Sequence, residues 1–201
     1  MNLKHRAGEI LEIQKEAIMK LETTGSWIKS IELIKSVMKN NGRIATTGMG
    51  KAGIIAQKMS ATLSSIGIPS FYAHPAESLH GDLGRIVSDD LVFVFSHSGS
   101  TTEVHSMITH LHGLNDMKNT VILISGSANP QIPHNYLVCY GDLEESSIVK
   151  KVPSTSTTIM LIIADVLGIT AAESLGFNDE WFKKRHPGGA IGKSYENTEN
   201  H

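Results

Sequence analysis

Leu91-Val92-Phe93-Val94-Phe95 is an unbroken apolar run that stops abruptly at Ser96. A strand with one wet face alternates apolar and polar residues. A run without alternation must be covered on both sides, which suits a strand inside a parallel sheet with helices on each face. The rest of the chain supplies those neighbours. Arg43–Thr47, Ser70–Ala73, Val121–Ile124 and Tyr136–Tyr140 read as further strands, and 51–66, 102–114 and 154–173 as helices. Residues 3–22 and 27–39 carry apolar positions at helical spacing before the first strand, and Asn40-Asn41-Gly42 reads as the stop and turn that follow. Residues 75–82 read as a loop rich in Pro, Gly and His, and 178–185 as a short helix. Strands alternating with helices predict an α/β fold with a parallel sheet and right-handed crossovers.

A chain of 201 residues is one domain. Its expected parts are two integral N-terminal helices over 1–40, a body over 41–193 and a polar tail over 194–201. A net charge of −2 offers no basic face for nucleic acid and no acidic tail. The single cysteine, Cys139, has no partner for an internal disulfide and cannot build a Cys-based zinc site, which argues for a reducing compartment. Glu9, Glu12 and Glu16 interrupt any leader-like stretch, and Ile159–Ala172 is broken by Asp165, Gly168 and Thr170 short of the ~20 residues of a membrane span. These features predict a soluble cytoplasmic protein with no membrane partner.

In open α/β sheets ligands bind beyond the carboxyl ends of the strands. The unusual residues of this chain fall in those turns. Gly48-Met49-Gly50-Lys51-Ala52-Gly53 has the form of a dinucleotide fingerprint, but the second strand ends Tyr72-Ala73-His74-Pro75, with no acid for a ribose hydroxyl until Glu77. It is not a P-loop either, because Ala45 and Ala52 stand where a glycine and the magnesium-binding hydroxyl belong. What remains is a tight turn that lets a ligand approach the backbone beside the Lys51 cation, or a turn that needs glycine for its backbone alone.

After the apolar run, Ser96-His97-Ser98-Gly99-Ser100-Thr101-Thr102 opens a helix with five hydroxyls in seven residues. A helix N-terminus offers free N–H groups and a positive dipole end to a phosphate, and hydroxyls add neutral donors. A plain N-cap needs one hydroxyl, not five. A second run, Ser154-Thr155-Ser156-Thr157-Thr158, starts the long helix and reads equally as a cap or as the wall of the same cleft. By context alone His97, His105, His110 and His112 are surface or helix-face residues, and no metal site is expected.

These turns, taken with His74-Pro75-Ala76-Glu77-Ser78-Leu79-His80-Gly81-Asp82-Leu83-Gly84 and Arg185-His186-Pro187-Gly188-Gly189-Ala190-Ile191-Gly192, resemble the sugar isomerase (SIS) domain of bacterial arabinose-5-phosphate isomerases. The resemblance runs from about residue 10 to residue 193. Many members resemble this domain followed by two CBS modules, so the chain is similar to the short form without them. It departs from the family pattern at His97, where Asn is usual, and in the order of Ser154-Thr155-Ser156-Thr157.

The resemblance implies a doubly wound three-layer α/β/α sandwich with a five-stranded parallel sheet, a homotetramer with shared active sites, and no cofactor. It implies interconversion of D-arabinose 5-phosphate and D-ribulose 5-phosphate, feeding 3-deoxy-D-manno-octulosonate (Kdo) for lipopolysaccharide or capsule. The implied catalytic set is Lys51, His80, Glu103, Glu145 and His186. The implied substrate-binding set is Gly50, Ser96, His97, Ser98, Thr101, Ser154 and Thr155. Aldose–ketose isomerisation needs a base near two adjacent carbons, and a carboxylate can serve once burial lifts its pKa. A histidine titrating near neutrality can open the sugar ring or shuttle a proton. Which group is the base stays open at this point. So do two other functions: isomerisation of a hexulose or heptulose phosphate, and a non-catalytic sugar-phosphate sensor, for which the two N-terminal helices carry no DNA-binding charge.

Overall fold

The computed structural model describes residues 2–114 and 119–188. Five parallel strands form one sheet: β1 (Ile44–Gly48), β2 (Ser70–Tyr72), β3 (Leu91–Phe95), β4 (Thr120–Ser125) and β5 (Tyr136–Cys139), in the order β2-β1-β3-β4-β5. The helices are α1 (Leu3–Met19), α2 (Gly25–Lys39), α3 (Gly50–Ser65), a single turn α4 (Pro75–Ser78), α5 (Thr102–Leu114), α6 (Thr155–Ser174) and α7 (Asp179–Arg185).

The apolar run does what its pattern requires. All five residues of β3 are buried, with Leu91, Phe93 and Phe95 facing one layer and Val92 and Val94 the other. On the first face lie α1, α2, α3 and α6, through Ala17, Trp27, Ile34, Met59, Leu63, Ile159 and Leu167. On the second lies α5, through Val104, Met107, Ile108 and Leu111. Phe93 and Phe95 are fully covered, and truncating either to Ala would cost about 3–5 kcal/mol in lost transfer energy and cavity. Three layers therefore arise because the central strand has no polar face to show water.

The structure adjusts the expected elements in two places. The segment expected as a loop over 75–82 contains the α4 turn, followed by a 3₁₀ turn at Asp82–Arg85. Pro75 at the first helical position explains the first, since its fixed φ suits a helix start. Second, α6 is 20 residues long and, by length and composition alone, apolar enough to cross a membrane. More than half of that stretch is buried against the sheet and its neighbouring helices, so its apolarity serves the core. The closing Gly189–Gly192 and the expected tail over 194–201 lie outside the described residues.

The strand order places a topological switch between β1 and β3. From β1 the chain steps outward to β2 on one side, and from β3 it proceeds through β4 to β5 on the other. Gly48 at the end of β1 lies opposite Phe95 at the end of β3, so the glycine turn and the hydroxyl loop emerge side by side.

Candidate active site at the carboxyl edge of the sheet

The glycine turn is built by close approach as much as by torsion. Gly50 has φ +58°, in the left-handed region. A Cβ on Gly53 would come within 2.5 Å of the Gly48 carbonyl oxygen and 2.9 Å of the Tyr72 hydroxyl. That hydroxyl donates to the same Gly48 oxygen at 2.8 Å, which ties β2 to the turn. The turn brings Lys51 to the surface in the first turn of α3, exposed.

The hydroxyl loop is held from within. Ser96, buried, pairs its Oγ with Thr101 Oγ1 at 3.0 Å and accepts from the Gly99 amide at 3.2 Å. The Gly99 carbonyl accepts from the amides of Gln131 and Ile132 at 2.8 and 3.0 Å, pinning the loop to the segment after β4. Ser98 and Ser100 are exposed and hydrogen-bond each other at 3.1 Å. Inner hydroxyls thus fix the loop, and outer ones face the solvent at the start of α5. Glu103, in the first turn of α5, is exposed, and no side chain hydrogen-bonds its carboxylate among the described residues.

Glu145 is in the opposite condition. It is 8% exposed and sits under the first turn of α6. Its Oε2 accepts from the Ser154 amide at 2.7 Å, the Ser154 hydroxyl at 2.9 Å and the Ser156 amide at 3.3 Å, and its Oε1 accepts from the Ser156 hydroxyl. Burial alone would push this carboxyl up, but the serine hydroxyls and amides together outweigh it and hold the pKa below the ordinary carboxylate value. A carboxylate capping a helix N-terminus is stabilised by the same N–H groups and dipole that would attract a phosphate. Glu145 is therefore committed to the helix end, with both of its oxygens engaged. Ser154 also accepts from the Ser146 amide and hydroxyl, both at 3.0 Å. Thr155 is fully buried, and among the described residues its Oγ1 has no hydrogen-bond partner, nor have His74 Nδ1 and Ser78 Oγ in the segment after β2.

A cavity of about 270 Å³ opens over the ends of β3, β4 and β5, lined by His97, Ser98, Gly126, Ser127 and Asp142. His97 is not the free surface residue its context suggested. It is half-buried, its Nδ1 lies 2.9 Å from the Tyr140 hydroxyl, and the two rings stack. Burial above all, with the Glu145 carboxylate and Cys139 nearby, pushes the Tyr140 hydroxyl far up in pKa. Sequence reasoning missed Tyr140, Asp142, Gly126 and Ser127. The rule that ligands sit after strand ends would have reached all four, but none belongs to a motif.

The structure thus gathers Gly50, Lys51, Ser96, His97, Ser98, Thr101, Glu103, Glu145, Ser154 and Thr155 at one end of the sheet. His80 lies at that end on the exposed segment after α4, its amide donating to the Glu77 carbonyl at 2.9 Å. His186 does not join them. The 20-residue α6 carries the chain about 30 Å, away from Glu145 to the far end of the sheet. There Trp181 of α7 packs so closely on Gly67, just past α3, that a Cβ at that glycine would collide with its indole nitrogen. His186 stacks on Phe182 with ring centroids 3.8 Å apart and holds the Phe182 carbonyl at 2.9 Å. A larger apolar hollow of about 310 Å³ also lies at this far end, between Ile66, Ile169 and the aromatic side chains of Phe177, Trp181 and Phe182. Among the described residues no group of three or more His, Cys, Asp or Glu could hold a metal ion.

Comparison with known proteins agrees with this geometry. Residues 37–165 match the SIS domain. The arabinose 5-phosphate isomerase KdsD of Pseudomonas aeruginosa is 36% identical over 94% of this chain and 57% of its own length. KpsF of Escherichia coli, of the same description, is 36% identical over 80% of this chain and 50% of its own. The chain therefore spans about half the length of these curated relatives. Among solved structures, a Bacteroides fragilis protein described as a phosphosugar isomerase involved in capsule formation superposes with a TM-score of 0.90 at 33% identity, covering 94% of this chain and 99% of that one. An Escherichia coli CFT073 protein in complex with arabinose 5-phosphate superposes at 0.82 with 29% identity, covering 93% of this chain and all of that one.

Proposed function

The chain belongs to the SIS-domain family, and from that premise we propose that it is an aldose–ketose isomerase converting D-arabinose 5-phosphate to D-ribulose 5-phosphate and back. The observation that carries the reading is the pairing of β1 with β3, which sets a cationic glycine turn beside a hydroxyl loop at a helix N-terminus. Such an edge suits a phosphate ester at the loop and a sugar chain across the turn. The relatives named for this reaction and the structure holding arabinose 5-phosphate support the same substrate.

In the forward reaction a base takes the proton from C2 of the aldose while a donor protonates the carbonyl oxygen on C1. The cis-enediol then receives the proton on C1 and loses the one on O2, leaving the ketose. Glu103 is the base in this reading, because its carboxylate is uncommitted, whereas that of Glu145 is saturated by four hydrogen bonds. Lys51 stabilises the enediolate charge, and Ser98 with the amides at the start of α5 holds the phosphate, on a loop that Ser96 and Thr101 brace and with Gly50 giving backbone access. Glu145 fixes the start of α6 through Ser154 and Ser156, with Thr155 between them. His80 and His186 open the sugar ring and move protons.

His186 enters from a second copy of the chain. Its own α7 lies at the far end of the sheet, so a site containing it draws on a neighbouring subunit. Leu11, Met19, Ile54 and Ile148 are all well exposed in the single chain and supply apolar surface for a homotetramer. The enzyme works in the cytoplasm without a cofactor and supplies Kdo synthesis. The test is direct: incubation with a panel of pentose, hexose and heptose phosphates after exhaustive chelation, with ketose formation as readout. Turnover of the two pentose phosphates alone is expected. Turnover of a hexose or heptose phosphate instead overturns the assignment, and binding without turnover makes the protein a sensor.

A further inference from the structure

His97 stands where the family pattern has another residue, and the structure fixes it from three directions. Its backbone carbonyl accepts from the Gly126 amide and the Ser125 hydroxyl, both at 3.1 Å. Its ring occupies the space a side chain at position 126 would need, since a Cβ there would lie 2.7 Å from Nδ1 and 2.8 Å from Cε1. Its Nδ1 is 2.9 Å from the Tyr140 hydroxyl. That nitrogen is the one partner the hydroxyl has among the described residues.

We propose that Tyr140 is a positioning residue that holds His97 as the Nε2–H tautomer, so that a neutral N–H donor faces the sugar-phosphate cavity between Ser98, Ser127 and Asp142. A phenol next to an imidazole nitrogen can donate or accept. If Nδ1 carried the proton, the phenolic hydrogen would be left half-buried without an acceptor, a costly arrangement. With the phenol donating, both groups are satisfied and Nε2 carries the ring's only proton. The strongly raised pKa of Tyr140 keeps that proton on the phenol across the physiological range. A neutral donor differs from a second lysine: it recognises a phosphate or hydroxyl oxygen without adding charge beside Asp142. The ligand class rests on the sugar-phosphate reading above, but the tautomer does not.

The test uses the full chain labelled with ¹⁵N-histidine. Long-range ¹H–¹⁵N spectra report each tautomer, and the His97 signals are those lost in His97→Asn. The wild type should show Nε2–H at His97. Tyr140→Phe, which removes one oxygen and little volume, should give a mixture of tautomers. It should also raise KM roughly three- to tenfold with kcat within twofold, the scale of one neutral hydrogen bond. Gly126→Ala, which displaces the ring, should move KM the same way. Wild-type His97 as Nδ1–H overturns the inference, and so does a Tyr140→Phe enzyme with unchanged tautomer or unchanged KM. If no sugar phosphate is turned over, the isomerase reading falls separately, and inorganic phosphate becomes the probe. An Nε2–H ring with phosphate affinity weakened in Tyr140→Phe then sustains the inference, and unaltered affinity refutes it.

Discussion

Two helices begin at the carboxyl edge of this sheet behind runs of serine and threonine, and they are finished in opposite ways. The N-terminus of α6 is closed by the chain's own anion, because Glu145 takes the amides of Ser154 and Ser156 and both hydroxyls. The N-terminus of α5 follows a loop braced only by hydroxyls and amides, with Ser98 and Ser100 turned outward. Similar sequence runs thus have different electrostatic fates. One helix end has its amides taken by a carboxylate, and the other, with Glu103 in its first turn but not bound to its amides, still offers them to an incoming phosphate. The difference separates two carboxylates that sequence reasoning treats alike.

The sharpest way to break that comparison is to neutralise each carboxylate. Glu103→Gln should lower kcat by ~10²–10⁴-fold, the usual loss for a general base. Its melting temperature should stay at the wild-type value, because the side chain is exposed and makes no hydrogen bond to another described side chain. It should also stop exchange of the transferred proton with solvent. A Glu103→Gln enzyme with wild-type exchange removes Glu103 as base. A Glu145→Gln enzyme that loses as much rate at an unchanged melting temperature erases the distinction between the two ends.

The next effect concerns what α6 separates. If His186 serves a neighbouring copy, Lys51→Ala and His186→Ala should each be inactive as pure oligomers. Co-expressed, they should form mixed oligomers in which some sites draw both intact residues from different chains, and a clear fraction of wild-type turnover should return. Mixed oligomers verified by native mass spectrometry yet still inactive would place both residues in one chain's site.

Glu145→Gln itself should act through stability. It replaces a charged acceptor by a neutral amide under a helix end, and hydrogen bonds to a charged group are worth about 1.5–3 kcal/mol. With the cap partly kept by the amide oxygen, a net loss near the low end is expected. For a domain of this size that is a fall of about 2–4 °C in melting temperature per kcal/mol. Loss confined to turnover, with no thermal shift, would mean that the four hydrogen bonds do not hold α6.

The sheet and its layers were legible because the signal is local: the unbroken β3 run and the helical periodicities needed no partner to be read. The hydroxyl loop was legible for the same reason, being a motif attached to a strand end. What escaped depends on side chains meeting across the sequence. That the Ser154 run closes on Glu145 is a pairing across nine residues with no pattern of its own. His97 looked like a surface histidine because Tyr140, 43 residues away, has no motif. The position of His186 follows from the length and direction of α6, which only packing against α3 and the sheet fixes.

The smallest effect is a pH dependence. The folded-state pKa of Glu145 lies below its ordinary value of 4.5, because four donors prefer the ionised form despite burial. A depressed carboxylate stabilises the fold above its unfolded pKa, and that contribution fades as pH falls through the folded value. Stability should therefore drop below about pH 4.5 in the wild type, and less steeply in Glu145→Gln, where nothing titrates. Other carboxylates complicate the reading. Glu9, Glu32, Glu144 and Glu180 are also lowered by nearby cations, but they are solvent-exposed pairs that salt screens and that contribute little. Urea midpoints measured at pH 6 and pH 3.5 in high salt suppress those four and leave Glu145. The wild type should lose more of its midpoint between the two pH values than the variant does. Parallel curves would mean that the carboxylate at α6 binds its proton no differently in the folded chain. The contrast between the two helix ends would then be one of geometry without electrostatic consequence.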